Sequence, residues 1–134
     1  MERPLIIVLN ADQTFLDMIC ELLIDEGYDA TTSRENNAGF EMILARQPQL
    51  VMIELVITNP EAGLMVVNKM RLHPQTRHIP VIIASTTTQL LRDNEAHLRS
   101  KGCDFLQKPF DLEELLTIVE KYVQPDSPMP RENR

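Results

Sequence analysis

The sequence predicts an α/β fold in which a five-stranded parallel sheet is covered by helices on both faces. Two observations carry this reading. Short strand-like runs recur near 5–9, 28–32, 50–53, 81–84 and 103–106, and most are apolar without alternation, as strands buried on both faces are. Between them lie stretches with helical spacing and recognisable start and stop signals, and strands alternating with helices in this way give a doubly wound sheet.

The elements follow in order. Residues 5–9, Leu-Ile-Ile-Val-Leu, form the first buried strand. A helix comes next, with Phe15, Met18, Ile19, Leu22 and Leu23 on its inner side, and Gly27 stands where helices stop. After the short strand at 28–32, Ser33 is placed to cap a helix running to Arg46 with Phe40, Ile43 and Leu44 inward. Pro48 breaks that helix before the strand at 50–53. A loop over 55–61 leads to a helix carrying Leu64, Val67 and Met70 as far as Leu72. Pro80 opens the next strand. The helix over 89–100 is mostly polar, with Leu90, Leu91 and Leu98 for the core. Beyond the strand at 103–106, Asp111 and Glu114 make a capping box, and Leu112, Leu115, Leu116, Val119 and Val123 recur at helical spacing. Residues 1–123 are thus expected to form one domain. The Pro-rich, polar residues 124–134 are expected to be a disordered tail or the start of a linker.

Composition narrows the function classes. A net charge of −7 argues against direct nucleic-acid binding, which needs a basic patch. No apolar run approaches the ~20 residues of a membrane span, and no signal-peptide pattern opens the chain. Cys20 and Cys103 are far apart and lie in apolar stretches, so both read as reduced core thiols of a cytoplasmic protein. His73, His78 and His97 show no metal-ligand spacing, and the four glycines are isolated, so no phosphate loop is present. The cluster Arg71, His73, Arg77 and His78 reads as a solvated connection. No catalytic constellation stands out, and the chain is expected to be a binding module, not an enzyme.

In a doubly wound sheet, chemistry sits at the carboxyl ends of the strands. Here those ends are Asn10-Ala11, Glu54, Ser85 and Lys108. Asp12 precedes a helix and reads as its N-cap. A lysine at a buried strand end needs a partner, so Lys108 is expected in an ion pair. Glu54, placed at the end of the third strand, is the expected partner.

Several landmarks occur in one order: Asp25-Glu26-Gly27-Tyr28, Pro48-Gln49-Leu50-Val51, Ile79-Pro80-Val81-Ile82, Gly102 with Asp104, and Phe105-Leu106-Gln107-Lys108-Pro109-Phe110. Together they resemble the receiver domain of two-component response regulators over residues 4–123. The resemblance implies a flavodoxin-like sheet of order 2-1-3-4-5 in three layers, with two helices on one face and three on the other. It implies that Asn10 and Ala11 stand where the family has two metal-binding acids, and Glu54 where it has the phosphoaccepting aspartate. Ser85 matches a hydroxyl that contacts the phosphoryl group, Lys108 the lysine that pairs with the acceptor, and Phe105 a switch aromatic. Phe105 reads equally well as a core residue. The loop at 55–62 is about one residue longer than usual, and the stretch between Ser85 and Gly102 is longer by a residue or two.

These departures shape the functional expectation. Magnesium favours octahedral oxygen ligation that includes carboxylates, and one carboxylate remains here, so binding is expected to be very weak or absent. Glu54 reaches roughly 1.5 Å farther than an aspartate. Its carboxylate is either a solvated strand-end charge or a permanent stand-in for a phosphorylated group. The leading expectation is a pseudo-receiver that acts by protein–protein contact. Its partner is a histidine kinase or an output protein, and self-association would use residues 89–123. The alternatives are a phosphoacceptor using a non-standard site, and a small-molecule sensor binding in the vacated pocket.

Overall fold

The computed structural model describes residues 3–56 and 58–125. Ten elements alternate along them: β1 (Leu5–Leu9), α1 (Gln13–Asp25), β2 (Asp29–Ser33), α2 (Asn36–Arg46), β3 (Leu50–Glu54), α3 (Pro60–Leu72), β4 (Val81–Ser85), α4 (Thr88–Ser100), β5 (Cys103–Gln107) and α5 (Leu112–Glu120). All four strand pairings are parallel and the order is β2-β1-β3-β4-β5, as expected.

The strands' alternation splits the core in two. Ile7, Leu9, Val51, Ile53, Val81 and Ile83 face one side, where α2, α3 and α4 supply Ile43, Val67, Met70 and Leu98. Ile6, Val8, Leu50, Met52 and Ile82 face the other, against Leu16, Ile19 and Leu23 of α1 and Leu115 and Val119 of α5. Three helices cover one face and two the other. Leu5–Leu9, Leu50–Ile53 and Val81–Ala84 are apolar on both sides because both sides are covered.

Local signals explain the boundaries. Asp12 caps α1, its carboxylate accepting from the Thr14 and Phe15 amides. Gly27 takes φ 101°, a left-handed conformation open to glycine at little cost, and turns the chain from α1 toward β2. Asp111 and Glu114 form the complete capping box of α5.

Some expectations need correction. β2 begins at Asp29, one residue later than expected, because the Tyr28 amide still donates to Leu23 O of α1 at 3.0 Å, while its buried hydroxyl donates to Val123 O at 3.0 Å. Ser33 ends β2 and does not cap α2. Its hydroxyl accepts from the Glu35 amide at 3.2 Å, and Glu35 is the N-cap. Met18 is 44% exposed, and Leu16 takes the inner position instead. Leu112 is exposed, and α5 ends at Glu120, although Val123 stays buried beyond it. Arg71 is no solvated residue: its guanidinium donates to Lys101 O, Ile79 O and Arg77 O, tying the end of α3 to the chain before β4 and β5. Of the tail expected over 124–134, residues 126–134 lie outside the described residues.

Candidate functional site

The parallel register brings four strand ends to one edge of the sheet. Leu9 pairs with Ile53, Glu54 with Ala84, and Ser85 with Gln107. Two backbone bonds carry the pairing past the strands: Leu55 N–H to Ala84 O at 2.9 Å, and Lys108 N–H to Ser85 O at 2.8 Å. Asn10, Glu54, Ser85 and Lys108 are therefore neighbours by construction. The Lys108–Pro109 peptide is cis.

At the centre, Lys108 Nζ donates to Glu54 Oε2 at 3.0 Å. The two side chains are only 13% and 15% exposed, so the pair is largely withdrawn from water. On another side, the ammonium lies 4.0 Å from the centroid of the Phe15 ring, close enough for the ring's negative face to attract it. Phe15 meets Phe110 edge-on, with centroids 6.2 Å apart and an interplanar angle of 84°.

The remaining positions are turned to other tasks. Asn10 is 5% exposed, and its Oδ1 accepts from the Asp12 amide at 2.8 Å. Ala11 offers a methyl group, and its carbonyl accepts from Arg34 Nε at 3.0 Å. The Asp12 carboxylate is committed to the α1 cap. Ser85, 1% exposed, accepts from the Thr87 amide through its hydroxyl oxygen at 3.1 Å. Phe105 is half-buried against the α2–α3–α4 core, with the Arg99 guanidinium 4.8 Å above its ring. On β5 it pairs in register with Ile83.

This donor set does not fit a magnesium ion. Octahedral coordination by hard oxygens needs carboxylates free to bind. The edge holds one central carboxylate, already paired with an ammonium, an amide oxygen already accepting, and a methyl. Among the described residues no group of three or more His, Cys, Asp or Glu converges. The arrangement can hold a fixed charge pair and present the surface around it.

The family's sequence pattern, described as response regulator receiver domain, matches residues 6–120. The chain belongs to the response regulator receiver domain family. Over 128 residues this receiver is 27% identical to the DNA-binding dual master transcriptional regulator RpaA of Synechocystis, covering 96% of this chain and 52% of that protein. It is 26% identical over 121 residues to the nitrogen assimilation regulatory protein NtrX of Azorhizobium caulinodans, covering 89% of this chain and 26% of that one. The receiver thus spans about half or less of the length of these two relatives. In fold it is similar to the chemotaxis protein CheY4 of Vibrio cholerae, with a TM-score of 0.78 at 18% identity, over 90% of this chain and 98% of that one.

Sequence reasoning placed Asn10, Ala11, Glu54, Ser85 and Lys108 at this edge of the receiver, and the fold puts them there. It missed Phe15 as a wall of the site, reading it only as a core residue of α1. The available signal was local: an aromatic three residues after the helix cap, with a second aromatic at 110 beside Lys108. It also missed the groove that Phe15 and Lys108 form with Met18, Thr86, Pro109 and Phe110. No helix among the described residues is long and apolar enough to cross a membrane.

Proposed function

We propose that this receiver takes part in two-component signalling as a protein-binding module and is not switched by phosphorylation at position 54. One observation carries the reading: beside Glu54, which meets Lys108 at 3.0 Å, the metal-binding positions hold Asn10, whose Oδ1 accepts from the Asp12 amide, and Ala11, which has no oxygen to offer from its side chain. Phosphoryl transfer depends on positioning and charge neutralisation, chiefly by metal and lysine. Here Asn10 and Ala11 stand in place of the metal-binding acids, and the Glu54 carboxylate sits farther out than an aspartate would. The module binds and does not catalyse.

The partner surface in this reading is α4, β5 and α5, with a kinase or an output protein as its partner and a second copy of the chain as a further candidate. Some of the charges on that face are paired within the chain. Asp104 accepts from Lys121 Nζ at 2.8 Å and from the Tyr122 hydroxyl at 2.7 Å, and Arg99 pairs with Glu95 at 2.8 Å. With a net charge of −7, direct contact with nucleic acid is no part of the proposal.

Thermal melting with Mg²⁺ and beryllofluoride tests the loss of the phosphoryl site. A ligand that binds the native state raises the melting temperature by linkage. The unmodified protein should show no shift, and the triple variant Asn10→Asp, Ala11→Asp, Glu54→Asp should regain a measurable one. A magnesium-dependent shift in the unmodified protein would overturn the proposal in favour of a phosphoacceptor receiver.

A further inference from the structure

We infer that Phe15 is a positioning residue of the Glu54–Lys108 pair, its ring face holding the lysine ammonium where the glutamate can reach it. The inference rests on reading that pair as a standing feature of the protein. An ammonium at the end of a four-carbon stem has many rotamers, and one carboxylate contact leaves much of that freedom. A second contact, 4.0 Å from an aromatic centroid, removes more of it. With the lysine only 13% exposed, water competes poorly for the ammonium, so the attraction to the ring is stronger than at an open surface.

Phe15 is itself held. Its backbone amide is bound by the Asp12 cap, and its ring packs edge-on against Phe110. The clamp therefore joins α1 to the segment after β5 through a charge. Lys108 also forms one wall of the groove lined by Phe15, Met18, Thr86, Pro109 and Phe110. Holding the ammonium on the ring fixes that wall, so the charge at position 54 and the shape of the groove are tied through one side chain.

Stepwise fluorination of the Phe15 ring tests this directly, because it drains the ring's negative face while nearly keeping its shape. The urea unfolding equilibrium of the series is compared in the native background and in Lys108→Met. With Lys108 present, the unfolding constant should rise progressively, by about fivefold across the series. With methionine at 108 the series should be flat. Equal slopes in both backgrounds, or no slope in either, would overturn the inference. Should Lys108→Met not fold, NMR of the native protein and of Phe15→Leu replaces it. The Lys108 Cε protons should be shifted upfield by the ring and return toward free-lysine values in the variant, and an unchanged position would overturn the clamp. No phosphoryl donor enters either measurement. A protein that accepts phosphate at Glu54 would thus defeat the proposed function without touching this result.

Discussion

Glu54 Oε2 and Lys108 Nζ meet at 3.0 Å across 54 residues of sequence, at the carboxyl ends of β3 and β5, which are separated by β4. The contact is possible because Glu54 lies at the end of β3 and the chain carries Lys108 one residue past β5. A double-mutant cycle with Glu54→Gln and Lys108→Met measures its strength. At an effective dielectric near 20, two charges ~4 Å apart attract by about 4 kcal/mol before desolvation and entropy are charged against it. For a pair this withdrawn from water, a coupling of about 1–2 kcal/mol in urea denaturation is expected. Strictly additive single losses would show that the contact contributes nothing.

The Asp104 cluster predicts the acid side of the stability profile. Burial pushes the Asp104 carboxyl up, but the bonds from Lys121, Tyr122 and the Phe105 amide outweigh it and hold the carboxyl below its ordinary range. A carboxyl whose folded pKa is depressed takes up protons more readily in the unfolded chain. Its stabilisation is therefore complete above the ordinary aspartate range and is lost as pH falls through the lower, folded value. Urea midpoints measured from pH 7 down to pH 2 should fall less steeply in Asp104→Asn than in the native protein. At pH 7 the variant should be destabilised by about 1 kcal/mol, since Lys121 is well exposed and its contribution is screened. An unchanged acid limb would contradict this.

The two thiols should differ in reactivity. Burial pushes the Cys103 thiol up to about 11, against the opposing pull of the Arg71 guanidinium. Because the thiolate is the nucleophile, only about one Cys103 in a thousand is reactive at pH 8. Cys20 is half-buried, and its thiol is also raised, by burial first and then by Asp17 and Glu21. Alkylation of the native protein at pH 8, followed by peptide mapping, should modify Cys20 first and leave Cys103 nearly untouched. Equal labelling of the two would contradict this. The sign of the Cys103 shift also bears on stability. A thiol raised in the folded state makes the native protein hold its proton longer, so stability falls as pH climbs from the ordinary thiol range toward about 11.

Gly39 sets how closely α2 approaches β1. A Cβ there would lie 2.5 Å from Leu9 Cδ2 and 2.9 Å from Cδ1, and Leu9 is 2% exposed with little room to move. Alanine improves helix propensity by about 1 kcal/mol, but overpacking a closed core costs about 1–3 kcal/mol. Gly39→Ala is therefore expected to lower stability by about 1 kcal/mol in urea denaturation. A stabilised variant would show that Leu9 yields, and with it the chain leading into Asn10.

Most of the fold was legible because its signals are local or doubly reinforced. β1 and β4 are apolar on both faces, and the α5 capping box is written in Asp111 and Glu114. β2 was less legible: it is an edge strand whose Ala30, Thr31 and Thr32 are only partly buried, and its end competes with a helix cap at Ser33. Met18 misled because its spacing fits the inner face of α1, while the actual face rotates to Leu16, Ile19 and Leu23. At the site, Glu54 and Lys108 followed from strand ends and charge. Phe15 did not, because its contact with Lys108 depends on how α1 lies against the end of β5, a relation that helical periodicity does not encode. The role of Arg71 was hidden for the same reason, since its three carbonyl partners come from segments brought together only by the fold.

The central claim is that the receiver fold here carries a fixed charge pair in place of a phosphorylation switch. Intact mass after incubation with acetyl phosphate and Mg²⁺ tests it most directly, with the Asn10→Asp, Ala11→Asp, Glu54→Asp variant run beside the native protein. The native chain should keep its unmodified mass, and the variant should show a phosphorylated fraction. A native protein that gains one phosphoryl group in a magnesium-dependent way, and loses that gain in Glu54→Gln, would contradict the account.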